Sequence, residues 1–572
     1  MRIDRPILAA ACSLFALLTG CGSPPPPIEP AVLRVPTQPT TPAAPATRAA
    51  RPMHLLDAAA RCSSMPRAAR PGLELSGAQL IAQGVAHPVE PVSRSIAGAA
   101  LPEHCRIEGR LRPQANDGVA PRVSFEMRLP SRWNGRFLHQ GSFDLESRTV
   151  EAFGRTTGAG GLEDNALSQG FAVLASNAAR SPSVLPAAAA TDGSEAEAAL
   201  ARVVLAAKVL IHDYYGKPAD RSYFVGCSEG GKEGLLFAQR WPEAFDGIVA
   251  VAPLLRKGDA ALAAAWTLRH FTAAAPRVRS KPRPLSEAFS IEELFVVANG
   301  ILKQCDAVDG AEDGFVMDMA GCRFDPVTVQ CKRRGAKSCL SKAKVQALAA
   351  AMGGPRDAAG KVLYAPWPWD PGIAAPGWRA WTLGTAAPGD TPNPELLSLT
   401  SQMLSGGLEG LPTAKSDARA FDRSRATASQ RARREAEAVF MAAPLEDFRQ
   451  RDGKLLLVHG AADPVVSAWV TIDYQRQLDR AHSRPGAPGA ADFARTFIVP
   501  GMNHCAGGPS LDRFDALAAL VEWVETEKPP KRIEARGSAA LRDETRPLCP
   551  WPEVARYRGA GSVQVSASYE CR

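Results

Sequence analysis

Tyr223-Phe224-Val225-Gly226-Cys227-Ser228-Glu229-Gly230 is the stretch on which the fold turns. Three β-favouring residues lead into G-x-S-x-G, and Gly231 to Arg240 continues as a helix. This order of strand, tight turn and helix is what a nucleophile elbow needs. The backbone at its centre is strained, side chains on either side would collide, and the turn lifts a serine hydroxyl clear of the sheet. Without its neighbours the pentapeptide would be only a glycine-rich turn. With them, Ser228 reads as a nucleophile.

Outward from the elbow, short apolar runs recur at Val123–Leu129, Phe137–Leu138, Phe171–Ala175, Ile248–Ala252, Leu455–Val458 and Thr496–Val499. Helices are expected between them, the clearest from Glu195 to Tyr215, with Ser194 as a cap and Gly216 and Pro218 as a stop. Such alternation predicts an α/β fold with a mostly parallel sheet covered on both faces. A serine hydroxyl needs a base, and the base needs an orienting group. Asp463 follows the Leu455–Val458 strand and His504 follows the Thr496–Val499 strand. Alone, Asp463 could be an Asp-Pro turn and His504 a structural loop residue. Together, the order Ser, Asp, His behind successive strands is that of α/β-hydrolases and excludes the chymotrypsin and subtilisin orders.

At 572 residues, with 22% charged residues and a mean hydropathy of −0.13, the chain is neither disordered nor a multi-span membrane protein. It is long enough to bury a large core, so its 12 cysteines are not compensating for a small one. The formal net charge of +8 is spread along the chain, which reads as a solvated surface with no nucleic-acid partner. No C-x-x-C pair or H-E-x-x-H occurs, so zinc chemistry has no support.

Arg2 and Arg5 precede an apolar run from Ile7 to Leu18 that is too short to remain as a membrane span, so residues 1–20 read as a signal peptide. Leu18-Thr19-Gly20-Cys21 resembles the bacterial lipobox, whose cysteine becomes an acylated N-terminus, and Gly22 after it is compatible with outer-membrane sorting. The expectation is an exported outer-membrane lipoprotein, touching the membrane only through a lipid anchor on Cys21; an ordinary secreted protein is the alternative. Ten prolines between Gly22 and Pro52 make residues 21–52 an extended tether.

Cys227 directly precedes Ser228, and Cys505 directly follows His504. A bridge between them would pin the elbow to the histidine loop. Cys227 as the nucleophile fails on position, since Ser228 holds the centre of the pentapeptide, and two unpaired thiols are disfavoured in an exported protein.

These residues make the sequence similar to the tannase and feruloyl esterase family of α/β-hydrolases, which includes mono(2-hydroxyethyl) terephthalate hydrolases. The likeness rests on GCSEGGK from Gly226, HGAADPVVS from His459, NHCAGGP from Asn503, the Trp241–Ala250 stretch, and Phe514–Leu517 with Trp523-Val524-Glu525, and it runs from about Met53 to the C-terminus. It implies an α/β-hydrolase core at residues 53–254 and 446–572, with an inserted lid domain at 255–445. Ten cysteines remain after Cys12 and Cys21, and roughly 945 pairings are open to them on sequence alone. The resemblance selects Cys62–Cys105, Cys227–Cys505, Cys305–Cys322, Cys331–Cys339 and Cys549–Cys571. On residues alone, the run from Cys305 to Phe315 could be either a solvated acidic turn or a set of oxygen ligands. The resemblance implies a structural calcium there, on Asp306, Asp309 and Asp313 and the carbonyls of Ala311 and Phe315.

The implied reaction is hydrolysis of an ester through an acyl-enzyme on Ser228, with His504 as base and Asp463 orienting it. The oxyanion hole would take the N–H of Glu229, just after the nucleophile, and a second donor from the loop after Phe137–Leu138, where Gly141 is the candidate. The family's run of glycines is replaced there by Gly141-Ser142-Phe143-Asp144. Its Asp-x-Gly-His after Phe171–Ala175 is replaced by Asn177-Ala178-Ala179-Arg180. His459 could line the pocket or pack at the strand end, and Trp367, Trp369, Trp378 and Trp381 could wall the pocket or pack in a core. The substrate expected is a small ester of an aromatic acid, whether galloyl, feruloyl or terephthalate. An exported serine peptidase and a non-catalytic surface lipoprotein with this fold are the rival readings.

Overall fold

The computed structural model describes residues 57–67, 72–87, 98–112, 123–141, 151–155, 165–178, 194–278, 281–282, 284–333, 336, 338–384, 428–483, 489–537, 541 and 543–572. The signal segment, Cys21 and the tether lie outside these residues.

Nine strands form the main sheet: β1 (Leu73–Ile81), β2 (His104–Leu111), β3 (Ser124–Pro130), β4 (Arg136–Gln140), β5 (Ala172–Ser176), β6 (Arg221–Cys227), β7 (Gly247–Val251), β8 (Lys454–Gly460) and β9 (Ala494–Val499). They stand in the order β1-β2-β3-β5-β4-β6-β7-β8-β9. From β5 across to β9 every neighbouring pair is parallel. The other edge, β1-β2-β3-β5, is antiparallel. All seven apolar runs read from the sequence are strands of this sheet. β1 and β2 were not among them, although Cys105, Ile107, Gly109 and Leu111 alternate with Arg106, Glu108 and Arg110, the period-two signal of a strand with one wet face.

Along the chain, α1 (Ser194–Tyr215) and α2 (Glu229–Arg240) flank β6. The helices α3 (Lys257–Ala274), α4 (Ile291–Cys305), α5 (Lys342–Met352), α6 (Pro376–Leu383) and α7 (Ala428–Ala442) fall between β7 and β8. α8 (Ala468–His482) and α9 (Ala516–Thr526) follow. Side chains alternate across a strand, so β6 feeds two cores. Phe224 lies near Phe237 of α2 and belongs to one apolar cluster with Leu210 of α1 and Tyr474 of α8, while Tyr223 and Val225 belong to another with Leu517, Leu520 and Trp523 of α9. Each large apolar side chain buried this way contributes roughly 1.5–3 kcal/mol, and together they hold the strand end that carries Ser228.

β7 and β8 are sheet neighbours, yet residues 252–453 lie between them in the chain. Part of this insertion has its own apolar cluster, including Phe271, Phe289, Leu294, Ile301, Leu348 and Trp378. A capping box starts α4, with Ser290 accepting from the Glu293 N–H and Glu293 reaching back to the Ser290 N–H. Residues Pro52–Arg572 form one compact unit, insertion included.

All five disulfides implied by the resemblance are present, with Cα–Cα separations of 5.5 Å for Cys62–Cys105, 5.9 Å for Cys227–Cys505, 4.9 Å for Cys305–Cys322, 5.0 Å for Cys331–Cys339 and 5.5 Å for Cys549–Cys571. Such bridges belong to proteins that mature in an oxidising compartment. Among the described residues no helix is long and apolar enough to cross a membrane.

Candidate active site

Ser228 stands alone between the end of β6 and the first residue of α2, with φ 61° and ψ −116°. A side-chain-bearing residue in such a conformation costs on the order of 1–3 kcal/mol and persists only where its surroundings hold it. They do so here: the Ser228 N–H donates to the Val251 carbonyl at 2.9 Å, and its carbonyl accepts from Lys232 at 3.1 Å and Leu254 at 2.9 Å. A Cβ on Gly226 would lie 2.7 Å from the Gly230 main chain, which is why the pentapeptide needs glycine before the serine. The Ser228 side chain is mostly buried, and its Oγ has no hydrogen-bond partner among the described residues.

The loops after β8 and β9 bring the other two residues together. His504 Nδ1 lies 2.8 Å from Asp463 Oδ2. Asp463 is fully buried, and its Oδ1 accepts from the N–H groups of Val465 at 2.7 Å and Val466 at 3.1 Å. Burial pushes this carboxyl up, but the charge and hydrogen bonds of His504 and His459 outweigh it and hold the group well below the usual carboxylate range. With Asp463 on Nδ1, Nε2 is the nitrogen of His504 that can take a proton. The ring of Trp381, from the insertion, meets the His504 imidazole edge to face at 5.5 Å.

His459 does not line a pocket. It is fully buried behind the carboxylate, with Nε2 3.2 Å from Asp463 Oδ2 and 3.0 Å from the Val466 carbonyl, and Nδ1 2.8 Å from Thr471 Oγ1. The pocket-lining place gives way to the strand-end one because β8 carries the side chain inward, where it packs under the loop. His459→Ala is expected to lower stability by about 2–5 kcal/mol through the cavity and the unsatisfied groups left behind, read as a fall in denaturation midpoint. An unchanged midpoint would count against this account.

The Cys227–Cys505 bridge ties the residue before Ser228 to the residue after His504. Three loops from distant parts of the chain thereby meet at the C-terminal ends of β6, β8 and β9, the edge of an open α/β sheet at which ligands bind.

The two expected oxyanion donors fare differently. Glu229 is the first residue of α2, where N–H groups have no carbonyl one turn back to bond. Gly141 is corrected: its N–H already donates to the Val225 carbonyl at 2.8 Å, continuing the β4–β6 pairing. A Cβ there would come within 2.4 Å of the Phe224 ring, so close packing accounts for this glycine. Ser142, Phe143 and Asp144 lie outside the described residues. Asn177, where the family pattern has aspartate, prolongs the β3–β5 edge, its Oδ1 accepting from the Ser124 N–H at 2.8 Å; Ala179 and Arg180 also lie outside.

The acidic loop is folded on its own main chain. Asp306 accepts from the N–H groups of Asp313 and Gly314, Asp309 from Ala311 and Met317, and Asp313 from Phe315. Burial, with the neighbouring charges of Asp313 and Asp306, pushes the Asp309 carboxyl up to about 7. Asp313 Oδ2 also meets Arg546 at 2.8 Å and the Tyr569 hydroxyl at 2.6 Å. Arg546 is fully buried, and nothing in its local sequence, Thr545-Arg546-Pro547, marks it for this place. Among the described residues no three acidic, histidine or cysteine side chains converge as a ready metal shell. A cation here would depend on carbonyl oxygens as well as carboxylates, which suits calcium among the common ions.

Comparison with known proteins gives a consistent set of relatives. Residues 105–572 match the family described as tannase and feruloyl esterase. A mono(2-hydroxyethyl) terephthalate hydrolase of Piscinibacter sakaiensis is 36% identical over 525 residues, covering 83% of this chain and 86% of that protein. A probable feruloyl esterase of Arthroderma benhamiae is 28% identical over 476 residues, covering 80% and 83%. The crystal structure of feruloyl esterase B from Aspergillus oryzae superposes with a TM-score of 0.68 at 22% identity, over 90% of this chain and all of that one, which is a likeness of fold.

Proposed function

We propose, from the premise that this chain belongs to the tannase and feruloyl esterase family and is a carboxylic ester hydrolase, that it cleaves esters of aromatic acids through an acyl-enzyme on Ser228. The observation that carries this reading is the bridged pair of loops: Cys227–Cys505 holds the Ser228 elbow beside His504, whose Nδ1 is fixed on Asp463. His504 Nε2 takes the serine proton as Oγ attacks the ester carbonyl, and Asp463 stabilises the imidazolium. The Glu229 N–H meets the developing oxyanion. His504 returns the proton to the departing alcohol, then activates the water that frees the acid. The wild type is expected to hydrolyse at least one of methyl gallate, methyl ferulate, p-nitrophenyl acetate and a terephthalate monoester, and to leave the matching anilides nearly untouched. Cleavage of the anilides at ester-like rates would favour a peptidase, and no turnover of any ester would end the reading.

The segment between β7 and β8 serves in this proposal as a lid over the acyl site, supported by Trp381 against His504. We also propose calcium at Asp306, Asp309 and Asp313 with the carbonyls of Ala311 and Phe315, supported by the acidic loop inside the Cys305–Cys322 bridge, where burial and neighbouring acidic charge push the Asp306 and Asp309 carboxyls up. The ion would neutralise the loop and order the insertion, away from the chemistry. An ion held at a hundredfold excess over its Kd stabilises by about 2.7 kcal/mol. EDTA should therefore lower the melting temperature, and calcium should restore it where magnesium does not. Identical melting with and without chelator would remove the ion from this account. For location, we propose export with a lipid on Cys21; mass spectrometry of the mature N-terminus from membranes tests it, a plain unacylated N-terminus being the contrary result.

A further inference from the structure

The loop that carries His504 is held from outside the hydrolase core, by a short turn of the insertion. Asp370 is buried at 2% exposure, and its two oxygens do different work. Oδ1 accepts from the Gly372 N–H at 2.7 Å, the ordinary local bond of an aspartate starting a turn. Oδ2 accepts from the Gly501 N–H at 3.0 Å, across 131 residues of chain, at the start of the histidine loop. Two residues on, Asn503 completes the clasp. Its Nδ2 donates to the carbonyls of Gly372 at 3.3 Å and Ala462 at 3.2 Å, and its Oδ1 accepts from the Trp378 N–H at 3.1 Å. The contact is close enough to restrict side chains, since a Cβ on Gly372 would stand 2.5 Å from Ala462 Cβ and 2.7 Å from the Gly501 carbonyl. The turn at Asp370–Gly372 thus touches the residue before Asp463 and two of the three residues that lead into His504, Gly501 and Asn503.

A turn alone does not require a buried charge. Asparagine or serine would cap Gly372 at lower desolvation cost, and burial pushes the Asp370 carboxyl up to about 6. A carboxylate is the side chain that can accept from two amide groups at once with charge-assisted bonds. The second of those amides belongs to the histidine loop.

We propose that Asp370 is a positioning residue for the hydrolytic reaction, fixing the Gly501–Asn503 segment so that His504 meets Ser228; this rests on reading Ser228, Asp463 and His504 as the triad. Asp370 touches no substrate in this account. The insertion then does more than cover the acyl site: it sets the place of the base.

Asp370→Asn keeps the volume and one acceptor but turns an NH2 towards an amide N–H. A displacement of about 1 Å at a reacting group can cost 10²-fold in rate. For p-nitrophenyl acetate, kcat should fall by roughly 10- to 100-fold with KM within about twofold of wild type, in protein that still melts cooperatively well above the assay temperature. A kcat within about twofold of wild type overturns the proposal, and so does a rise in KM with kcat kept, which would make Asp370 part of the binding surface. If Asp370→Asn does not fold, Gly372→Ala decides by the same two readings, because its Cβ pushes the turn away from the loop without removing any hydrogen-bonding group. Ser228→Ala is run beside them. Wild-type turnover that persists in Ser228→Ala sinks the triad reading, whereas turnover that needs Ser228 but not Asp370 sinks only this inference.

Discussion

Ser228→Ala is expected to lower kcat on an aryl ester by roughly 10⁶-fold, to the level left by binding and the oxyanion donor alone. The size follows from how much depends on one oxygen. Without Oγ there is no acyl-enzyme, and His504 and Asp463, however well placed, have no nucleophile to activate; members of such a unit lose their effect together. Alanine suits the site otherwise. Ser228 Oγ has no partner among the described residues, so removing it leaves no donor or acceptor stranded. The φ of 61° is strained for alanine as it is for serine, so stability should stay within about 1 kcal/mol of wild type. The check is kinetic and thermal on one preparation: kcat for p-nitrophenyl acetate, and the denaturant midpoint. A variant within tenfold of wild type in kcat would mean that Ser228 is not the nucleophile.

The second large effect is expected from the double variant Cys227→Ala/Cys505→Ala. The bridge spans a sequence separation of 278 residues, though Cys305–Cys322 and Cys331–Cys339 already shorten the free chain within that loop. Removing a native disulfide typically costs about 2–5 kcal/mol, and this span argues for the upper part of that range. Activity should fall as well, and for a separate reason. Ser228 and His504 each sit one residue from the bridged sulfurs, so loosening it shifts two reacting groups against each other, at a cost that can reach about 10²-fold in kcat. A single cysteine substitution would be a poorer test because it leaves a free thiol beside the nucleophile. Wild-type kcat at a temperature where the double variant is fully folded would show that the bridge stabilises the chain without aligning the site.

The elbow, the order of the three loops and the strands that carry them were legible because each has a local signature: glycine where side chains collide, apolar runs of strand length, a turn after each. Of the antiparallel edge, β1 escaped because it breaks its own alternation at a bulge between Leu75 and Gly77, and β2 because its clean alternation leaves no continuous apolar run. The Gly141 donor failed for a different reason. Which amide is free depends on where strand pairing stops, and β4 goes on pairing with β6 as far as Gly141, three residues past Leu138, the last of its apolar pair. His459 was ambiguous by position, since the last residues of a strand point alternately into the core and towards a loop. Asp370 and Arg546 lie beyond any local pattern. Their partners are 131 and 233 residues away, and nothing near either residue specifies them.

Asp313 joins one of the earlier parts of the insertion to the end of the chain, through Arg546 and the Tyr569 hydroxyl. The chain leaves the ribosome from its N-terminus, so the acidic loop is made long before the residues that close it. For the earlier part of that interval, until residue 460 is made, β7 also lacks β8, its partner on the far side of residues 252–453. An open strand edge and a half-paired acidic loop must therefore coexist in the growing chain, the state in which intermediates of large proteins pair wrongly. The strand edge closes once β8 is made, but the acidic loop waits for Arg546 and Tyr569, so a product that stops short of Tyr569 carries the whole proposed triad and still leaves Asp313 without the Tyr569 hydroxyl.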